Sequence, residues 1–266
     1  MRVLGAQCHH VEFCTVGVAH TLDQCLTMVY VEPCEKMSPA VGHHLGNRHS
    51  APLLFFESGK DHVNHILDVF NWLSNEQCNF KTVLDFGCGT GRLILPFSAI
   101  AQKVTGVDVS PSMLREAEKH LKSLNIDNVE LIQSNSLEVL SDRKFDLVHT
   151  YIVLQHIPVS AGYRLIKSLL KAVAPGGYAM IHFTYSNSTS AFKKLKYYLR
   201  SKYKFFSQVS NIMNGRPTNT PDMQMNNYNL SRVLRMVEEA GFKKFFVELT
   251  NHGGFRGVCL YLQNEL

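Results

Sequence analysis

The sequence predicts an α/β fold: a doubly wound, mostly parallel seven-stranded sheet with an antiparallel last strand, plus a helical lid insertion. Three observations predict it. From Phe55 onward, short strand-like apolar runs alternate with runs of helical period at close spacing. A glycine-rich turn, GCGTG, joins the first of those strands to the helix after it. The last two strand-like runs are linked only by HGGFR, too short for a parallel crossover, so they should lie antiparallel.

The elements follow in order. SGKDHVNHILDVFNWLS reads as a helix with Ser58 as its cap and an apolar row of Val63, Ile66, Leu67, Phe70 and Leu73. TVLDFG is the first strand, and GRLILPFSAIA the helix opened by the glycines. KVTGVDVS is the second strand. SPSMLREAEKHLKSLN is a helix with a Ser or Pro start and the row Met113, Leu114, Ala117 and Leu121. VELIQSN and KFDLVHTYI are the third and fourth strands. The helix GYRLIKSLLKAVA stops at PGG, and YAMIHFTY is the fifth strand. LSRVLRMVEEAGF is a helix ended by Gly241, and KKFFVELT and GVCLYLQ close the chain. Residues 186–228 interrupt the alternation and form the insertion. Residues 1–54 are a poorly patterned extension preceding the main domain at 55–266.

The chain of 266 residues is long enough for one large domain with a sizeable core, and 45% of its residues are apolar. No run of eighteen apolar residues exists, and Arg2 is followed by no clean apolar stretch, so neither a membrane span nor a signal peptide is expected. Seven cysteines are scattered without paired spacing, which points to a reducing, cytoplasmic setting. The first fifty residues hold four cysteines and six histidines, but no C-x2-C pair, so no metal is assigned there. The formal net charge of +5 is concentrated: AFKKLKYYLRSKYKFF, residues 191–206, carries six cations and no acid, leaving the rest nearly neutral.

Glycines at a strand-to-helix turn remove side chains where a ligand lies against backbone, beyond the C-terminal ends of parallel strands. Gly87, Gly89 and Gly91 stand there. Asp108 ends the second strand, where a carboxylate can accept from both hydroxyls of a ribose. The order VLDFGCGTG, VDVS, an apolar residue on the next helix, a polar pair after the third strand, FDLVHTYIVLQHI and LLKAVAPGG resembles the class I S-adenosylmethionine-dependent methyltransferases, which are Rossmann-like. The resemblance runs from about Phe55 to Leu266.

That resemblance implies S-adenosyl-L-methionine as cofactor and a role for each matching residue. Asp85 would help hold the methionine amino group, partly through water. Gly87, Cys88 and Gly89 would run along the methionine and ribose, and Asp108 would hold the ribose hydroxyls. Val109 and Met113 would pack on the adenine, although their spacing also suits a core. Asn135 and Ser136 are the polar pair, with Asn135 where the family pattern has an acid. Thr150 and Tyr151 would stand beside the sulfonium.

The acceptor is less constrained. His156, just past the fourth strand, is the candidate general base, set against a role in fixing the loop. His149 reads as packed, and His182 can face either way. Tyr185, Met225 and Tyr228 are candidate substrate contacts. No [DNS]-P-P-[YFW] tetrapeptide follows the fourth strand, and no Pro-Cys nucleophile is present, which argues against amino methylation of the usual kind and against cytosine C5 methylation. The expected activity is methyl transfer to oxygen or nitrogen of a small-molecule acceptor, anionic if the basic segment docks it. Residues 191–206 also suit peripheral membrane contact. Two alternatives stand beside this: a non-catalytic cofactor-binding protein of the same fold, and an RNA methyltransferase using that segment. A single basic stretch argues against a nucleic-acid partner. Acceptor identity and oligomeric state are left open.

Overall fold

The computed structural model describes residues 30–31, 51–134, 136–187, 225–252 and 254–265. Their strands are β1 (Tyr30–Val31), β2 (Phe80–Phe86), β3 (Ala101–Asp108), β4 (Val129–Gln133), β5 (Phe145–Thr150), β6 (Val173–Asn187), β7 (Lys244–His252) and β8 (Phe255–Gln263). The helices are α1 (Ala51–Ser74), α2 (Ile94–Ser98), α3 (Pro111–Ser123), α4 (Val159–Ala172) and α5 (Leu230–Glu239). Most of the insertion, including the basic residues 191–206, lies outside the described residues, as does Asn135.

The strands form one sheet in the order β1-β7-β8-β6-β5-β2-β3-β4. All neighbours pair in parallel except at β8, which runs antiparallel to both β6 and β7. The expected seven strands are β2 to β8. The eighth, β1, comes from the region read as unpatterned; two residues suffice because the edge of β7 supplies the ladder. Chain order reverses between β2, which continues outward to β3 and β4, and β5, which continues the other way. That switch point puts a crevice at the C-terminal ends of β2 and β5.

Helices cover both faces. On one, Val63, Ile66 and Phe70 of α1 pack with Ile94 and Phe97 of α2 and Leu114 and Leu121 of α3. On the other, Leu165, Ile166 and Leu169 of α4 pack with Val233 and Val237 of α5. Both apolar rows read from the sequence, on α1 and α3, pack on the first of these faces, with one exception. Met113, on the α3 row, stays 45% exposed while Leu114, Ala117 and Leu121 are buried.

Several boundaries differ from expectation. α1 begins at Ala51, so Ser58 lies inside it and donates Oγ to the Phe55 carbonyl at 2.7 Å instead of capping a terminus. In the run GRLILPFSAIA only Ile94–Ser98 forms helix, with turn on either side of it, so α2 keeps just five residues before β3 begins at Ala101. α4 ends at Ala172, and the PGG stretch is already part of β6. The start of α3 agrees: Ser110 accepts from the Met113 amide at 3.4 Å, and Pro111 fills the first helical position.

α1 is tied to the β7 side of the sheet by His65, whose Nε2 lies 3.1 Å from Oε2 of Glu248 on β7; Tyr261 donates to the same oxygen at 2.8 Å. The hydrogen bond to Glu248 raises the His65 pKa against the opposing effect of burial. Burial pushes the Glu248 carboxyl up, but the His65 bond and charge outweigh it and hold it below the usual range. The raised His65 value contributes stability that is full below about pH 6.5 and is lost as pH rises through it. The lowered Glu248 value contributes stability present above about pH 4.5 and lost as pH falls through it. His65→Asn should therefore cost most stability between about pH 4.5 and 6.5, and progressively less in alkali. Urea unfolding across pH checks this; a cost that does not vary with pH would contradict the tie.

Candidate active site

The glycine turn leaves β2 after Phe86, and the amides of Gly87 and Cys88 both donate to the Val107 carbonyl, at 2.7 and 3.1 Å. This folds the loop back over the end of β3. Gly87 has φ +81°, and a Cβ there would stand 2.1 Å from one Val153 methyl and 2.9 Å from the other. Gly89 has φ +55°, yet its missing Cβ would meet nothing within 4 Å. Gly87 is thus required by the protein's own packing, whereas Gly89 leaves bare backbone facing open space. Gly91 departs from the ligand role: its Cβ position lies 3.2 Å from Ala117, so it lets α3 approach. The Cys88 side chain is buried and packs inward near Gly106. Burial raises its thiol pKa, with the charges of Asp85 and Asp108 adding to the effect, so it stays a thiol and offers only its backbone to a ligand.

Asp108 is held at the β3 terminus. Its Oδ2 accepts from the Gly89 amide at 2.9 Å and its Oδ1 from the Ser110 amide at 2.8 Å. A carboxylate has about four acceptor sites, so each oxygen keeps one in reserve. Beside it, Val109 is 63% exposed. Val109 and Met113 are both large apolar side chains left open next to a fixed carboxylate. The polar pair after β4 is only partly described: the Ser136 hydroxyl accepts from the Glu138 amide at 3.2 Å and caps a short 3-10 turn, Leu137–Leu140.

Asp85 takes a partner the sequence did not suggest. It is 2% exposed, and its Oδ1 lies 2.8 Å from Nδ1 of the fully buried His149. The register of β2 against β5 sets the two residues side by side. On the other side of the imidazole, Nε2 of His149 is 3.3 Å from Nε2 of His62 on α1. Burial, then the nearby charges of His149, Arg92, His65 and His182, lower the His62 pKa well below its ordinary value.

Tyr151 stands at the centre of a ring cluster where β5 ends. Its ring centroid is 4.2 Å from that of His62, 4.9 Å from His182 and 6.0 Å from His252. Burial raises its phenol pKa, so it stays protonated. His182, which could have faced either way, is fully buried; its Nδ1 accepts from the Ile152 amide at 3.3 Å. Burial drives it down to about 3, and burial also lowers His252. The imidazoles of His62, His182 and His252 are therefore neutral near pH 7. Among the described residues no group of three or more His, Cys, Asp or Glu converges as a metal's ligands would. Thr150, read as a sulfonium neighbour, is fully buried, with a hydroxyl that has no hydrogen-bond partner among the described residues.

The candidate acceptor contacts separate. His156 ends a one-turn 3-10 segment, Leu154–His156, with Nε2 3.4 Å from Nε2 of Gln155. Tyr185 and Met225 are partly buried. Tyr228 lines no open surface: it is 1% exposed, and its hydroxyl lies within donating distance of the carbonyls of Leu154 and Ile157, at 2.8 and 2.9 Å. It is a core latch that pins the turn bearing His156. Tyr228→Phe should cost about 1–3 kcal/mol of folding stability, because a buried carbonyl and a partly buried one lose their shared donor. Denaturant unfolding checks this, and an unshifted midpoint would contradict the latch.

Sequence reasoning missed His62, His252 and the partnership of Asp85 with His149. For His62 a signal existed, since it sits one residue before Val63 and four before Ile66, on the buried side of an amphipathic helix.

Residues 83–177 match the family described as a methyltransferase domain. The ubiquinone biosynthesis O-methyltransferase of Nitrosomonas europaea is 32% identical over 145 residues, covering 54% of this chain and 58% of that protein. The enzyme of the same name from Rickettsia akari is 26% identical over 141 residues, covering 53% and 55%. The chain thus spans somewhat over half the length of these curated relatives. Among solved structures, magnesium protoporphyrin IX methyltransferase from Synechocystis, crystallised with bound SAH, superposes with a TM-score of 0.54 at 18% identity. The superposition covers 84% of this chain and 90% of that one, and it supports the fold.

Proposed function

We propose that this chain is a class I S-adenosylmethionine-dependent methyltransferase that transfers a methyl group to an oxygen of a small-molecule acceptor, a reading supported by the match of residues 83–177 to a methyltransferase domain. Asp108 and Gly89 carry this reading. A bare glycine face lies beside a carboxylate that is already pinned by two amides and still has acceptor capacity, which fits a ribose and its two hydroxyls. Val109 and Met113 supply an apolar seat for adenine, and Asn135 with Ser136 supply its polar edge. Gly87 and Cys88 offer backbone along the methionine. Asp85 faces the amino end from beneath the loop, its carboxylate shared with His149. Bound there, S-adenosyl-L-methionine supplies an electrophilic methyl on a sulfonium.

The protein's part is then to position the acceptor and exclude water. Tyr151 is the side chain assigned beside the sulfonium in this reading, with the fully buried Thr150 behind it. The rings of Tyr151, His62 and His252 favour a planar acceptor. Oxygen is preferred over nitrogen because both relatives described above are O-methyltransferases. Residues 191–206 add the anion-docking or membrane-facing element, and 55–266 form the catalytic unit. No described helix is long and apolar enough to cross a membrane, and the described cysteines Cys78, Cys88 and Cys259 are free, in keeping with a cytoplasmic setting.

The test is incubation of the full chain with methyl-labelled cofactor and 3,4-dihydroxybenzoate, an anionic catechol. The expected result is one S-adenosylhomocysteine per O-methylated product. Saturable binding of the cofactor without turnover of this probe or of fractionated cell extract would favour the non-catalytic alternative.

A further inference from the structure

The buried line Asp85–His149–His62 runs from the residue proposed beside the cofactor's amino end to the ring cluster around Tyr151, and three different elements build it: β2, β5 and α1. We propose that this line is a proton relay, and that His62 is the group that takes the hydroxyl proton from the acceptor. The inference rests on the oxygen-methylation reading above.

The direction of the relay follows from which atoms can donate. Ionised Asp85 only accepts, so Nδ1 of His149 carries a proton. In a neutral His149, Nε2 is then an acceptor, and the 3.3 Å contact requires Nε2 of His62 to donate. That leaves Nδ1 of neutral His62 with a free lone pair, and this atom makes no hydrogen bond among the described residues. His62 keeps 8% of its surface open, and its ring packs at 4.2 Å on Tyr151, the residue that meets the end of β5.

O-methylation replaces one O–H proton by a methyl group, so one proton must leave the oxygen in each turnover. In the relay the O–H bond breaks and a bond from that proton to Nδ1 of His62 forms. The proton on Nε2 of His62 passes to Nε2 of His149. Atoms and charge balance: His62 ends neutral in its other tautomer, and the positive charge rests on His149 beside the Asp85 carboxylate. A buried imidazolium persists when a carboxylate pairs with it at hydrogen-bond distance. His62 alone would be a poor resting place for that charge. Burial first, and then the charges of His149, Arg92, His65 and His182, oppose its protonation, and the Tyr151 phenol beside it is neutral. The same surroundings keep His62 deprotonated and ready to accept. Asp85 orients His149, the role that a carboxylate plays behind a catalytic histidine in acyl-transfer triads.

Two readouts test the relay. The first needs no acceptor: the full chain, with its histidines labelled with nitrogen-15 and S-adenosylhomocysteine bound, is followed by NMR as pH falls. The relay predicts that His149 becomes doubly protonated while His62 stays singly protonated and moves its proton from Nε2 to Nδ1. A His62 that charges before His149, or that keeps its Nε2 proton while His149 charges, would overturn it. The second readout uses His62→Gln, whose amide can still donate to His149 but cannot take up a proton. With 3,4-dihydroxybenzoate, kcat should fall about 100-fold or more. KM and S-adenosylhomocysteine affinity should hold, and activity should recover partly in alkali, where the catechol ionises unaided. An unchanged kcat in His62→Gln, with the loss appearing in His156→Asn instead, would assign the proton to the turn after β5 and refute the relay. If the wild-type chain leaves the catechol unmethylated, the acceptor class fails, and the NMR readout alone decides the relay.

Discussion

Replacing Asp108 by Ala is expected to weaken S-adenosylhomocysteine binding by about 1–3 kcal/mol, between roughly fivefold and two-hundredfold. Two losses combine. A charge-assisted pair of hydrogen bonds to the ribose disappears from a half-buried position. The amides of Gly89 and Ser110 also lose the carboxylate that holds the loop and the start of α3 in place. Asp108→Asn separates these contributions, since it keeps the shape and one acceptor while removing the charge. Calorimetric titration of wild type and both variants gives the comparison. Equal affinity in wild type and Asp108→Ala would remove Asp108 from the ribose.

The second large effect divides the two glycines of the loop. Gly87→Ala should be strongly destabilising, because the left-handed backbone and the collision with Val153 each cost about 1–3 kcal/mol. Rotating Val153 brings little relief, as both of its methyl groups lie within 3 Å of the new carbon. Gly89→Ala meets no protein atom, so its folding cost is limited to the backbone strain, about 1–2 kcal/mol. Its methyl would instead intrude where the proposed cofactor lies. Thermal melting and S-adenosylhomocysteine titration, done on both, should show the first chiefly unfolding and the second chiefly losing ligand. A Gly89→Ala protein that binds like wild type would mean that the bare face serves no ligand.

The sheet was legible in the sequence because each strand is a short β-rich run and the HGGFR link permits only an antiparallel last pair. The start of α3 was legible because Ser110 and Pro111 act locally. Met113 shows where periodicity stops being enough. Its place in an apolar row fits core and ligand seat equally, and only the structure shows it open. What escaped reading are contacts fixed by register and packing. Asp85 and His149 are 64 residues apart and meet because β2 and β5 pair in one register. His62 reaches His149 across 87 residues because α1 packs on that face of the sheet. Tyr228 looked like a loop residue available to substrate, yet its hydroxyl serves two carbonyls that strand and helix patterns do not announce.

The central claim is that the loop after β2 and the end of β3 seat S-adenosylmethionine. Ultraviolet crosslinking of methyl-labelled cofactor to the full chain, followed by peptide mass spectrometry, tests it most directly. The predicted result is label on peptides between Asp85 and Met113 or around Tyr151, displaced by excess S-adenosylhomocysteine. Label confined to other peptides, or label that S-adenosylhomocysteine fails to displace, would contradict it.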